Sequence, residues 1–239
     1  QIITPGTGAR LNYSDNVSFV FSIASFDGKY VAADTVINHY YQYLGHASPL
    51  GLTLGIHNDA KFKGAKVRFL IPSHLAYGIS GVGTGSKTVT NGRIAGNQCL
   101  DYTVNLVDNQ VAYDQQVIKS YMAATGLTGY TETASGLWYK ILTQGTGVDP
   151  ITYNSTVLLT YTGYLMNNVA FSSYTPTGGL AFAIPDVVPG FQEGLKLVTT
   201  GAVVSYIMPS ALGYSTTGTT GVPSNSCIRY DCTIVSVSP

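Results

Sequence analysis

Apolar and polar residues alternate, or form short β-branched and aromatic runs, in several segments of the chain. Residues 17–24, 65–71 and 100–107 have this pattern in the first half. Runs of this length, separated by Gly-rich and Asn- or Asp-containing stretches, are typical of strands. The pattern therefore predicts a protein that is built mainly from strands.

Helix signals are fewer and shorter. Residues 60–64 resemble the end of a short helix with Gly as its stop, and residues 190–198 form a second short signal. A longer helix is predicted between Asp114, as the N-cap, and Gly126, as the stop. Its apolar positions at helical spacing are Val117, Ile118, Tyr121 and Met122. We expect this helix to dock its apolar face on one of the domains.

The chain contains an internal repeat. Three pairs of segments match in the same order: IITPGTG (2–8) with ILTQGTG (141–147), IPSHLAYG (71–78) with MPSALGYS (208–215), and NQCLDY (97–102) with NSCIRY (225–230). Each copy combines several antiparallel strands with one short helix, which is an α+β arrangement. The repeat predicts two domains, at residues 1–109 and 136–239, joined by a helical linker at residues 110–135.

Composition narrows the function classes. Charged residues make up 10% of the chain, against a usual value of about 25%. Lys plus Arg and Asp plus Glu number 12 each, so no basic surface is available for nucleic acid. An apolar run of membrane-spanning length is absent from the sequence, and so is a signal peptide. We expect an N-terminal part that contained the signal to have been removed.

Ionisable groups do not form a recognisable catalytic or metal-binding motif. The four His residues all fall in the first copy and lack metal-ligand spacing, so no metal or other cofactor is predicted. The Gly-rich run at residues 83–88 has the wrong spacing for a phosphate loop and is interpreted as a rim loop. Cys99, Cys227 and Cys232 are interpreted as small buried residues rather than a disulfide framework.

Residues 158–230 instead contain aromatic and aliphatic side chains separated by turn signals. A site built from them would be a dry aromatic pocket. Buried aromatic residues are more often plain core, so the order of the motifs decides between the two interpretations.

The second copy resembles the FKBP family of peptidyl-prolyl isomerases. The resemblance rests on five segments in the family's order: GLWYKIL (136–142), VLLTYTG (157–163), VVPGFQEGL (187–195), MPSALGY (208–214) and VPSNS (222–226). It implies two FKBP-like domains, each a twisted antiparallel half-barrel sheet wrapped on one short helix. The first copy matches less well and is interpreted as degenerate: Phe21 stands at the pocket tyrosine, Val31 and Ala32 at the Phe-Asp pair, and Leu54 near the floor.

The resemblance also implies the site residues. The catalytic group would be Tyr214 as hydroxyl donor, Phe191 as pocket floor and Tyr161. The substrate-binding group would be Phe171, Phe182, Val187, Val188, Val222 and Tyr230. Two departures from the family are Phe191, which replaces the usual Trp, and Ser172, which replaces an Asp that organises the pocket wall; both predict weaker activity.

The implied function is peptidyl-prolyl cis-trans isomerisation that assists the folding of extracytoplasmic proteins. Its partners would be proline-containing peptides or unfolded proteins, and macrocyclic inhibitors would bind in the same pocket. The alternative is a peptide-binding or chaperone module with this fold and little or no activity. Residues 114–142 further resemble the linker of tandem FKBP-like proteins that Bacteroidetes-type bacteria secrete or anchor to lipid. This implies a location in the periplasm or at the outer membrane.

Overall fold

The computed structural model describes residues 1–86 and 89–238. Lys87 and Thr88, which belong to the run interpreted as a rim loop, lie outside the described residues, as does Pro239. The chain divides into two compact units, Gln1–Gln110 and Val111–Pro239. Both units are α+β structures with antiparallel sheets and short helices, as the pattern predicted.

The first unit contains a six-stranded sheet. Its strands are β1 (Ile2–Thr4), β2 (Asn16–Ser25), β3 (Val31–Ala32), β4 (His39–Tyr43), β5 (Lys66–Ile71) and β6 (Leu100–Val107). They are ordered β1-β5-β6-β2-β3, with β4 also paired to β2. A short helix, α1 (Leu50–Gly55), continues into a wider turn at Ile56–Ala60. Alternate residues of β2 and β6 are buried, which is the expected result of their alternating sequence.

The second unit contains a helix followed by a seven-stranded sheet. The helix is α2 (Gln110–Thr125), and the strands are β7 (Thr131–Glu132), β8 (Trp138–Thr143), β9 (Thr156–Leu165), β10 (Ala170–Tyr174), β11 (Leu180–Ala183), β12 (Val203–Met208) and β13 (Ile228–Ser238). They are ordered β10-β9-β13-β12-β8-β7, with β11 also paired to β9. The sequence of pairings follows that of the first unit, and β7 adds an extra edge strand.

A short helix, α3 (Pro189–Gly194), packs on the second sheet. It begins with a proline, whose fixed φ suits the first helical position. Gly194 is needed at its end, because an added Cβ would lie 2.5 Å from the ring of Tyr206. The buried Tyr206 donates a 2.7 Å hydrogen bond to the Gly194 carbonyl, so one sheet residue fixes the end of α3.

The predicted connector helix forms, but its start was predicted wrongly. It begins at Gln110 rather than after Asp114, which is 2% exposed and lies within the first turns. The Asp114 carboxylate does not cap its own helix. It accepts hydrogen bonds from the backbone N–H and hydroxyl of Ser210, at 2.8 and 2.6 Å. The residues of α2 after Gln110 are therefore part of the second compact unit.

The cysteines are free thiols, of which two behave as predicted. Cys227 and Cys232 are buried, and burial raises the pKa of both thiols well above the ordinary value. Cys99 is only half-buried, contrary to the prediction. Among residues 1–86 and 89–238, no helix is both long and apolar enough to cross a membrane.

Candidate functional site

An apolar pocket of about 170 Å³ lies in the second unit, between the sheet and the segment that leads into α3. Strands β9, β10, β11 and β13 and the turn before α3 contribute lining residues, and α3 provides the floor through Phe191. The lining residues are Leu159, Tyr161, Ser172, Phe182, Asp186, Val187, Val188, Phe191, Tyr214 and Tyr230. Nine of these ten side chains are uncharged, which makes the pocket largely apolar.

Tyr230 is the centre of the aromatic cluster. Its ring centroid lies 4.6 Å from that of Phe191, 5.5 Å from that of Phe171 and 5.8 Å from that of Tyr161. Only 4% of Tyr230 is exposed, because β13 runs through the middle of the sheet between β9 and β12. Tilted and edge-on ring contacts of this kind are the preferred aromatic arrangements. One residue of a central strand thus holds three of the aromatic side chains in place.

Gly163 makes this ring arrangement possible. It pairs with Tyr230 across β9 and β13, and an added Cβ would lie 2.7 Å from both the Phe171 and Tyr230 rings. Real Cβ atoms essentially never approach other atoms so closely, so a larger residue here would displace one ring. The glycine in the VLLTYTG segment therefore acts through the space it leaves.

The pocket floor depends on a second close approach. Phe191 is 8% exposed and packs edge-on against Tyr206, with centroids 5.8 Å apart. The preceding residue, Gly190, is in contact with Met208: an added Cβ would lie 2.6 Å from its sulfur. Because Gly190 has no side chain, α3 can pack close to β12, and this packing sets the distance of the Phe191 ring from the sheet.

Two hydrogen bonds join polar groups of the pocket. The hydroxyls of Tyr214 and Tyr230 are 2.9 Å apart, and those of Tyr161 and Ser172 are 3.1 Å apart. Burial, followed by the hydrogen bond to Tyr214, raises the pKa of Tyr230 far above its ordinary value. Tyr230 consequently keeps its proton further into the alkaline range than an exposed tyrosine, and it can act as a donor.

The structure brings most of the predicted site residues together. Seven of the nine line the pocket: Tyr161, Phe182, Val187, Val188, Phe191, Tyr214 and Tyr230. Phe171 stands behind it, with its ring edge-on to those of Tyr214 and Tyr230. Val222 is 3% exposed and belongs to a turn closed by its bridge with Thr219. Phe171 and Val222 therefore do not line the pocket in this structure.

Sequence reasoning missed two lining residues, Leu159 and Asp186. Leu159 precedes Tyr161 by two positions in β9, so it points to the same face of the sheet, and strand alternation could have identified it. Asp186 ends the 3₁₀ turn before Val187 and is exposed. A short irregular turn has no periodic pattern, so the sequence does not predict which way the Asp186 side chain points.

The first unit has the same hydroxyl pair but fills the space beside it. Tyr102 pairs with Ile23 in the sheet, as Tyr230 pairs with Gly163 in the second unit. Ile23 is 5% exposed and therefore occupies the position that Gly163 leaves open. Tyr102 is hydrogen-bonded to Tyr77, and burial above all raises its pKa.

Leu54 was predicted to lie near the floor of the first unit, but the structure places Leu52 at that position. The helix glycine Gly51 packs against Ile71 and Leu75, as Gly190 packs against Met208 and Leu212. The residue after each glycine is then Leu52 in the first unit and Phe191 in the second. Leu52 is buried, whereas Leu54 lies in a separate groove beside Phe69 and Leu75.

The described residues contain no group of three or more His, Cys, Asp or Glu side chains that could hold a metal ion. The pocket lining offers apolar contacts, the hydroxyls of three tyrosines and Ser172, and the carboxylate of Asp186.

Comparison with known families assigns the second unit. Residues 149–235 match the family described as FKBP-type peptidyl-prolyl cis-trans isomerase. This match lies within the second unit and confirms the resemblance inferred from its motifs.

Individual relatives agree with this assignment. The chain is 33% identical over 112 residues to the FKBP-type peptidyl-prolyl cis-trans isomerase FkpA of Escherichia coli K12, which covers 46% of this chain and 41% of the relative. It is 37% identical over 109 residues to a probable FKBP-type isomerase of Haemophilus influenzae, covering 45% of each chain. The chain spans less than half the length of these relatives. The crystal structure of E. coli FkpA is similar at 27% identity and a TM-score of 0.48, covering 54% of this chain and 61% of the other.

Proposed function

We propose that the protein is a peptidyl-prolyl cis-trans isomerase whose active site is the aromatic pocket of the second unit. The observation that carries the proposal is the enclosure formed by Phe191, Tyr161 and Tyr230 within an FKBP-type domain, with the Tyr214 hydroxyl at its edge. Its substrates are prolyl bonds in peptides or unfolded proteins, and macrocyclic inhibitors compete for the same pocket.

Rotation about an Xaa–Pro bond needs neither a nucleophile nor a metal, because no covalent bond is made or broken. Rotation about a peptide bond has a barrier of about 18–20 kcal/mol because resonance is lost in the twisted state. The cis and trans forms of an Xaa–Pro bond are nearly balanced, so only the barrier needs to change. An apolar pocket withholds water from the planar, charge-separated amide. Stronger binding of the twisted form then accelerates the exchange.

The tyrosine pair supplies the polar contact. Either hydroxyl of this pair can be the donor, and the proposal assigns that role to Tyr230. The Tyr214 O–H is then left to donate to the carbonyl on the N-terminal side of the turning bond. Phe191 supports the proline ring from below, and Tyr161 and Phe182 enclose it from the side.

A second function, peptide binding with little or no turnover, is favoured by one observation. Ser172 stands where the family usually has a carboxylate, and its hydroxyl is a neutral partner for Tyr161. A neutral partner holds the tyrosine hydroxyl less firmly than a charged acceptor does. This module would act as a chaperone through the same pocket.

The first unit is proposed to be a degenerate FKBP-like domain at residues 1–109, and the isomerase domain is proposed to occupy residues 136–239 after the helical segment 110–135. The buried Ile23 supports the loss of activity in the first domain, because it fills the space beside Tyr102. The extracytoplasmic location and the Bacteroidetes-type origin rest on the sequence resemblance and stay predictions.

One experiment separates the two functions. The cis-trans exchange of a short Xaa–Pro peptide is followed by NMR or by a protease-coupled assay with the full chain, and the peptide's affinity is measured in parallel. We expect acceleration over buffer that falls in Phe191→Ala and Tyr214→Phe. A rate equal to that of buffer would overturn the isomerase proposal. If the chain gives only the buffer rate but still binds the peptide, the second function is established.

A further inference from the structure

The helix α2 makes a buried contact with the segment that carries Tyr214. The Asp114 carboxylate accepts from the Ser210 backbone N–H at 2.8 Å and from its hydroxyl at 2.6 Å. Both residues are 2% exposed, so water does not compete for these bonds. Hydrogen bonds to a charged group are worth about twice a neutral one. The contact therefore fixes Ser210 firmly against α2.

Ser210 controls the turn that leads to Tyr214. It begins the 3₁₀ turn Ser210–Leu212, and its carbonyl accepts from the backbone N–H groups of Gly213, at 3.1 Å, and Ser215, at 2.9 Å. These two residues flank Tyr214 on either side. A shift of Ser210 would consequently move the backbone on both sides of the tyrosine.

Asp114 also contacts the segment that carries the other tyrosine. Its carbonyl accepts a 3.8 Å hydrogen bond from the Cys227 thiol, three residues before Tyr230. Tyr214 and Tyr230 are the two hydroxyls 2.9 Å apart at the pocket. A single residue of α2 thus holds the approaches to both members of the pair.

The first unit shows the same turn in a different setting. Ser73 begins the turn Ser73–Leu75 that leads to Tyr77, but Ser73 is half-buried, whereas Ser210 is 2% exposed. The turn therefore forms without full burial of its first residue. In the second unit, the first residue of the turn is in addition bound by the buried Asp114 carboxylate.

We propose that Asp114 is a positioning residue for the Tyr214–Tyr230 pair, which makes α2 a working part of the isomerase site rather than only a connector. The inference rests on the proposed function, because the pair acts at the substrate carbonyl there. Asp114 does not touch the substrate. It acts through Ser210 and the turn that follows.

A double-mutant cycle on the full chain tests this role. Asp114→Ala is expected to lower kcat/KM per folded molecule about tenfold while peptide affinity changes less than twofold, because the contact is used in the transition state. In a Tyr214→Phe background the same change is expected to lower kcat/KM less than twofold. Asp114→Asn, which keeps one acceptor oxygen, should restore most of the loss.

Tyr121→Phe is the matched control on the same helix. The Tyr121 hydroxyl contacts Asn168 and Arg229. Although Arg229 precedes Tyr230, it keeps its ion pair with Asp231 and its strand pairing in β13 when this hydroxyl is removed. This variant should lower the unfolding temperature and leave kcat/KM per folded molecule unchanged. If Asp114→Ala behaves as Tyr121→Phe does, or if it lowers kcat/KM equally in both backgrounds, the positioning role is overturned.

Two further experiments apply if Asp114→Ala does not fold or if the wild-type chain is inactive. If Asp114→Ala does not fold, Ser210→Ala removes only the hydroxyl and should lower kcat/KM about threefold; no change would overturn the role. If the wild-type chain gives the buffer rate, the proposed function has failed. The inference is then decided by the NMR signals of the Tyr214 ring, which are assigned by their loss in Tyr214→Phe. They should shift in Ser210→Ala and not in Tyr121→Phe, and unshifted signals would overturn it.

Discussion

The floor of the pocket gives the most direct prediction. Phe191→Ala removes a ring that is 8% exposed and that packs against Tyr206 and Tyr230. Truncating a buried Phe costs about 3–5 kcal/mol of stability. Because domains are stable by only about 5–15 kcal/mol, the variant needs to be assayed well below its unfolding temperature.

The effect on the rate follows from the proline ring that the floor supports. The ring has three CH₂ groups, each worth about 0.8 kcal/mol when fully buried, or about 2 kcal/mol together. The floor covers one of its two faces, so the variant should lose about 1 kcal/mol of transition-state binding. We therefore expect kcat/KM to fall about fivefold in the folded fraction.

The assay is the cis-trans exchange of an Xaa–Pro peptide, normalised to the folded fraction from circular dichroism. Leu52→Ala is the matched control, because Leu52 follows Gly51 as Phe191 follows Gly190 and is 2% exposed. It should lower stability by a similar amount without changing the rate. A folded Phe191→Ala chain with the full rate, or an equal loss of rate in Leu52→Ala, would refute the reasoning.

Three other predictions follow from the same structure. Ser172→Asp should raise kcat/KM about fivefold, because a carboxylate is a stronger acceptor than a hydroxyl for the Tyr161 O–H by about 1 kcal/mol. Asp186, the charged residue of the lining, should favour a peptide with Lys over one with Glu before the proline by about two- to threefold at low salt, since exposed pairs are worth about 0.5 kcal/mol. The second unit should lose about 3–4 kcal/mol of its unfolding free energy by pH 10, because the raised pKa values of Cys227 and Cys232 keep both thiols protonated in the fold while the unfolded thiols ionise from about pH 8.5–9.

Each of these has its own control. Ser173→Asp, on the exposed neighbour, should leave the rate unchanged, and a matching increase there would mean that the charge acts from a distance. The Lys preference should vanish in Asp186→Asn and weaken in high salt; a preference that survives both would come from another group. Replacing both cysteines with Ala should remove most of the loss between about pH 8.5 and 9.5, below the range in which the unfolded counterparts of the buried tyrosines Tyr206 and Tyr230 ionise appreciably. Chemical denaturation at each pH would show whether it does.

Much of the site could be predicted because the family's motifs preserve local order. The segments VLLTYTG, VVPGFQEGL and MPSALGY gave Tyr161, Phe191 and Tyr214, and the structure places all three at one pocket. Strand alternation and the Pro-Gly start of α3 depend only on residues that are close in the chain, so they can be predicted from the sequence.

The remainder depended on neighbours that are distant in the chain. The start of α2 was misplaced because Asp114 resembles an N-cap, yet its partner Ser210 lies 96 residues away. Leu54 was predicted to lie near the floor of the first unit, whereas the close packing at Gly51 assigns that position to Leu52. Asp186 was missed because an irregular turn sets its direction.

The sequence by itself determined the repeat, the strand-rich α+β fold and the identity of most pocket side chains, because these are carried by local periodicity and ordered motifs. Only the tertiary structure decided that Tyr230 is the centre of the aromatic cluster, that Ile23 fills the matching space in the first unit, and that Asp114 of α2 binds Ser210. The physical reason is the same in each case. Ring contacts, filled space and a buried carboxylate's hydrogen bonds depend on strand register and burial, which a one-dimensional pattern does not specify.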